Sequence, residues 1–130
     1  MRVVLADREA EIMQVLWEHG PSTVTEVRER LKDDLAYTTV LTILRNLEAK
    51  EYVGPSKDGR AHRYAPLISS ESARRSALRD LSAKLFKGSA ELLLTHFVAD
   101  QKLSDEEIER IQKMLNERRK KDKHQKGVKK

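Results

Sequence analysis

The chain has no cysteine among its 130 residues. That excludes disulfides, thiolate metal sites and cysteine nucleophiles, and it fits a reducing interior. Aromatic residues are scarce: two Phe, three Tyr and a single Trp. No apolar run approaches the ~18 residues needed to span a bilayer. The opening stretch MRVVLADREAE turns acidic too soon to hold a signal peptide's apolar core. These absences predict a soluble, cytoplasmic protein with no membrane insertion. The four histidines, His19, His62, His96 and His124, are far apart in sequence and have carboxylates at ligand spacing only as chance would place them. No metal site, cofactor site or catalytic constellation is expected, so an enzyme reading has no residue set behind it. There is no internal repeat.

Charge is present but unevenly placed. The net charge is +5. Residues 1–66 hold 10 Lys/Arg against 11 Asp/Glu, and residues 67–116 hold eight against eight. Residues 117–130, ERRKKDKHQKGVKK, hold eight against two. The excess therefore sits in the tail, and a nucleic-acid reading has to rest on pattern before charge. With almost no apolar residue, the tail is expected to be disordered.

The few glycines and prolines punctuate the chain. Asp7–His19 reads as a first helix capped by Asp7, with Ile12, Met13, Val15, Leu16 and Trp17 on a broad apolar face. Gly20-Pro21 ends it. Thr23-x-x-Glu26 is a capping-box pattern that opens a second helix, with Val24, Val27 and Leu31 buried. A polar turn follows, and a third helix starts at Ala36 or Tyr37. Its Val40, Ile43, Leu44 and Leu47 recur at i, i+3, i+4, i+7. The other side presents Thr38, Thr39, Leu41, Thr42 and Arg45. Small hydroxyls and an arginine opposite a buried stripe suit a helix that enters a DNA major groove. Next comes a basic hairpin, 52–66, around an Asp58-Gly59 turn, with Lys57, Arg60 and Arg63 as candidate phosphate or minor-groove contacts. Its Pro55 fits an edge strand. Helix, turn, reading helix and wing are the order of a winged helix-turn-helix domain.

Each assignment has a plainer counterpart. Leu41 covers a thymine methyl or is an ordinary surface leucine. Arg45 reaches a base or phosphate, or pairs with Glu48. Tyr37 donates to a phosphate or packs over the helix start. One of Lys57, Arg60 and Arg63 is an ordinary hairpin charge. Tyr64 is expected to pack the wing onto the core, and Trp17 to pack within the winged domain.

Past a boundary at Pro66–Ser70 the strand signals stop. Three helices are expected: Ser70–Lys87, Ser89–Val98, and one opened by the capping box Ser104-x-x-Glu107. These ~47 residues are too few to bury their Leu, Ile and Phe comfortably alone. Either a second copy covers them or they fold back on the winged domain. The first reading puts Leu93, Leu94, Phe97, Ile108 and Ile111 in a subunit interface. The whole is read as mostly α with a small two-stranded β wing (α+β). It divides into a winged domain at 1–66, a helical dimerisation domain at 67–116 and a basic tail at 117–130.

Four stretches carry a resemblance: EAEIMQVLWEHGPSTVTEVRERL, YTTVLTILRNLEAKEYV, GRAHRYAPLIS and LFKGSAELLLTHFVADQKLSDEEIERIQKML. Across residues 3–116 the chain resembles the penicillinase-repressor family, the BlaI/MecI/CopY type of bacterial transcriptional repressor. The resemblance implies a homodimer that binds double-stranded DNA at a palindromic operator and blocks transcription. It further implies, as partner, a membrane sensor metalloprotease or its downstream protease, with release by a cut in the dimerisation domain. The pair corresponding to the family's cut is His96-Phe97, with His96 where the family usually has Asn. The copper-responsive branch uses a C-terminal cysteine cluster, which this chain lacks. A winged-helix interaction or non-specific nucleic-acid module, drawing its affinity from the basic tail, is the alternative function.

Overall fold

The computed structural model describes residues 2–56 and 62–128, with side chains as far as Lys123. In chain order the elements are α1 (Asp7–His19), α2 (Val24–Arg30), α3 (Tyr37–Ala49), β1 (Val53–Pro55), β2 (Tyr64–Pro66), α4 (Ser70–Leu85), α5 (Ala90–Asp100) and α6 (Asp105–Val128). They form two compact units, Met1–Leu85 and Phe86–Lys130.

In the first unit, α1, α2 and α3 pack around Ile12, Met13, Leu16, Val27, Val40, Leu44 and Leu47, all withdrawn from solvent. The expected capping box closes α2: Glu26 N–H donates to Thr23 Oγ1 at 3.1 Å, and Thr23 N–H donates back to Glu26 Oε1 at 2.9 Å. Asp7 does not cap α1. The N-cap is Ala6, whose N–H donates to Glu9 Oε1 at 2.9 Å, so the carboxylate one turn inside does the work. Gly20 takes φ +78° beyond α1, a left-handed conformation in which any Cβ would be strained. On α3, Ile43 and Leu41 are both half-buried against the core. Leu41 is thus less exposed than expected, because its position sits at the margin of the stripe rather than opposite it.

β1 and β2 pair antiparallel, with Val53 opposite Pro66 and Pro55 opposite Tyr64. The outer edge of β2 is not open. Tyr64 exchanges both main-chain hydrogen bonds with Ser22, at 3.0 and 2.8 Å, which locks the wing to the chain just before α2. Tyr64 packs on the core, as expected. The Trp17 indole N–H donates to Ile68 O at 2.9 Å, inside the same unit.

The break between units falls after Leu85 instead of at 66–70, because α4 belongs to the first unit. The Ser76 hydroxyl, buried on α4, donates to Val3 O and accepts from Val3 N–H at 2.7 Å. Ala73 is buried beside it, and Arg2 reaches Asp80 at 3.1 Å. The N-terminal segment therefore fastens α4 to the winged fold. This is the fold-back alternative, realised for one of the three helices.

The second unit contains α5 and α6. Ser89 caps α5 through Leu92 N–H, and the Ser104/Glu107 capping box closes α6 in both directions. The expected disorder from Glu117 is not found: α6 runs on to Val128. Glu, Arg, Lys and Gln are good helix formers, and no glycine or proline interrupts them before Gly127.

Candidate nucleic-acid interface

The outward side of α3 is where the candidates converge. Thr38, Thr39, Thr42 and Arg45 are all exposed, and Tyr37 at the helix start is about half exposed. Spacings of three and four residues place Thr38, Thr42 and Arg45 along one stripe. The Thr42 hydroxyl donates to Thr38 O at 2.8 Å. Its proton is therefore committed, and the exposed hydroxyl oxygen keeps its capacity to accept. Arg45 has no ion pair to Glu48 among the described residues, so its guanidinium is available in this state. Glu48, exposed three residues after Arg45, joins this surface as that spacing predicts. It lines the same concavity as Arg45.

That concavity, of about 340 Å³, separates α3 from the wing. Tyr37, Leu41 and Arg45 form one wall, and Pro55, His62 and Arg63 form the other. His62 sits at φ +67°, leading into β2. Lys57 and Arg60 lie outside the described residues, as does the Asp58-Gly59 turn.

Arg63 is placed differently from a free phosphate ligand. Its Nη1 donates to Glu26 Oε1 at 2.8 Å, and only about a quarter of its side chain is exposed. Glu26 already closes the α2 capping box. The Thr23 N–H bond is the main influence holding its carboxyl below the usual range, with Arg63 and Arg30 acting in the same direction. The wing, the start of α2 and the Ser22 strand bridge thus share one polar joint.

Two further contacts fix the two ends of α3. Arg28 Nε donates to Leu35 O at 2.6 Å and holds the turn between α2 and α3. Lys50, just beyond α3, donates to both oxygens of Glu9 at 2.9 Å. Glu9 is almost fully buried, and the pair ties the end of α3 to the start of α1. Nothing in the local sequence marks these pairs, whose partners lie 7 and 41 residues apart.

In the second unit, Leu94, Phe97, Ile108 and Ile111 line an apolar hollow of about 270 Å³ with Val98 and Leu103. Leu93, the fifth interface candidate, is half-buried and does not line it. Phe97 is 46% exposed and no residue of α5 is buried. His96, the other half of the candidate cleavage pair, sets its ring edge-on to Phe86 at 5.6 Å. Among the described residues, no helix is long and apolar enough to cross a membrane. No group of three His, Asp or Glu side chains among them could hold a metal ion.

The family model for the penicillinase repressor matches residues 5–117. Transcriptional regulator BlaI of Mycobacterium tuberculosis is 37% identical over 117 residues, covering 87% of this chain and 83% of that protein. The penicillinase repressor of Bacillus licheniformis is 26% identical over 115 residues, covering 87% and 90%. Methicillin resistance regulatory protein MecI of Staphylococcus aureus is 23% identical over 116 residues, covering 88% and 94%. With the match running from before α1 into α6, the chain belongs to the penicillinase repressor family.

Proposed function

We propose that this protein is a transcriptional repressor that binds a palindromic operator as a homodimer, with α3 as its reading helix. The observation that carries the reading is the outward stripe of Thr38, Thr42 and Arg45 on a helix braced at both ends, by Arg28 and by the Glu9–Lys50 pair. A side chain that reads a base has to be held in register, and those braces supply it. Release by proteolysis at His96–Phe97 belongs to the same proposal.

A duplex selected from a random pool serves as probe. Arg45→Ala and Thr42→Ala should each weaken binding to it by ~1–3 kcal/mol, with much smaller losses on random duplex. Equal losses on both would make these residues phosphate contacts. If no sequence is enriched and random DNA competes fully, the protein is a non-specific module instead.

Arg63 is predicted to act through Glu26 and not through a phosphate. Arg63→Met should therefore lower affinity while leaving the salt dependence of binding unchanged, because no counterion is released at that position. The same substitution in a Glu26→Gln background should add little. A log–log salt slope reduced by ~0.9 would show a direct phosphate contact.

A further inference from the structure

The region matched to the family ends at residue 117, but α6 continues without interruption to Val128. The charge changes at the same place. Residues 1–117 hold 18 Lys/Arg against 20 Asp/Glu, whereas residues 118–130 hold eight against one. Everything that makes this chain basic therefore lies beyond its family part.

The extension is unlike a helix built to pack on protein. Leu115 is the last apolar residue before Val128, so no stripe runs along it. Arg118, Arg119, Lys120, Lys121 and Lys123 are all exposed. Asp122 is the sole acid, and it pairs with Arg118 at 3.3 Å. Arg119 and Lys123 stand at i, i+4 with like charge, as do Lys120 and Lys123 at i, i+3. Such spacings destabilise an isolated helix. A polyanion laid along it relieves that repulsion and gains the entropy of released counterions. An apolar protein groove has nothing here to bury.

We propose that the helical extension Arg118–Lys123 is a second nucleic-acid surface, which binds the phosphates of duplex DNA without regard to sequence. This rests on the DNA-binding reading above. The duplex is the favoured polyanion because the family part, with its slight acidic excess, has little non-specific attraction for DNA of its own. The extension supplies that missing attraction. It holds the protein near DNA while α3 samples sequence, and it leaves the preference between sequences to α3.

The test uses the full chain with Arg118, Arg119, Lys120, Lys121 and Lys123 all changed to Gln, a good helix former that keeps the stem without the charge. Binding is measured against salt for the selected duplex and for random duplex of equal length. The log–log slope should fall by about 2–4 on both, at ~0.9 for each phosphate that the variant no longer neutralises. The ratio of selected to random affinity should stay within about twofold. An unchanged slope on both duplexes would overturn the proposal. So would tight binding of the unaltered chain, but not the Gln variant, to vesicles of 30% phosphatidylserine with unchanged DNA slopes; the charge would then serve a lipid surface. Absence of any sequence preference in the unaltered chain would defeat the repressor reading instead, and the slope difference on random DNA would still decide this one.

Discussion

Phe97→Asp is expected to give a monomer that binds a palindromic duplex ~10²–10⁴-fold more weakly, because binding to the second half-site is no longer intramolecular. The side chain is half exposed, in a helix with no buried residue, at the rim of a hollow formed by Leu94, Ile108 and Ile111. A charge there cannot be desolvated by a second copy without a partner. The winged unit has its own core of fully buried residues and should melt as before. Sedimentation equilibrium gives the mass, and binding to a duplex with one half-site gives the control, which should change little. A variant that sediments with the same mass as the unaltered chain would show that this hollow is not a subunit interface. Proteolysis between His96 and Phe97 should have the same consequence, because it parts Leu94 from Phe97, Ile108 and Ile111. The bond lies within α5, so a protease needs that helix to open locally first. Mass spectrometry of the protein during derepression should find the two fragments, and intact chain throughout would eliminate proteolytic release.

The helix-turn-helix order was legible because its punctuation is local. Thr23 with Glu26, Gly20 before Pro21, and Ser104 with Glu107 each act within four residues, and each closes its helix as the spacing predicts. The two sides of α3 were legible for the same reason, since a 3.6-residue period sorts the buried Val40, Leu44 and Leu47 from the exposed Thr38, Thr42 and Arg45. What stayed hidden was polar and long-range. Arg63 reaches Glu26 across 37 residues, Lys50 reaches Glu9 across 41, and Val3 meets Ser76 across 73. A hydrogen bond of that span leaves no periodicity behind. Sequence alone therefore makes Arg63 one more wing cation and α4 part of the second unit. The tail misleads in another way. Its composition is that of a disordered segment, yet its residues are individually good helix formers and follow directly from a capped helix.

Leu44→Ala separates the folding of α3 from the reading role proposed for it. Leu44 is fully buried on the inner side of α3, with Ile12, Met13, Leu16, Val27 and Leu47 in the same core. Truncating it removes buried methyl groups and leaves a cavity, so the winged unit should lose ~2–5 kcal/mol of stability. For a unit of this size that lowers the melting temperature by roughly 8–40 °C, at ~4–8 °C per kcal/mol. Its neighbour Arg45 is exposed, and Arg45→Ala should change stability by less than ~0.5 kcal/mol. Binding should diverge in the complementary way. Well below its lowered midpoint, Leu44→Ala still presents Thr38, Thr42 and Arg45 and should keep its preference for the selected duplex, losing it only as the fold melts. Arg45→Ala should lose preference at every temperature. Thermal melts paired with binding isotherms at two temperatures settle both halves. If Leu44→Ala melts like the unaltered chain, the core assignment of α3 is wrong. If it loses preference while still folded, the inner and outer sides of the helix are more tightly coupled than their separation by burial implies.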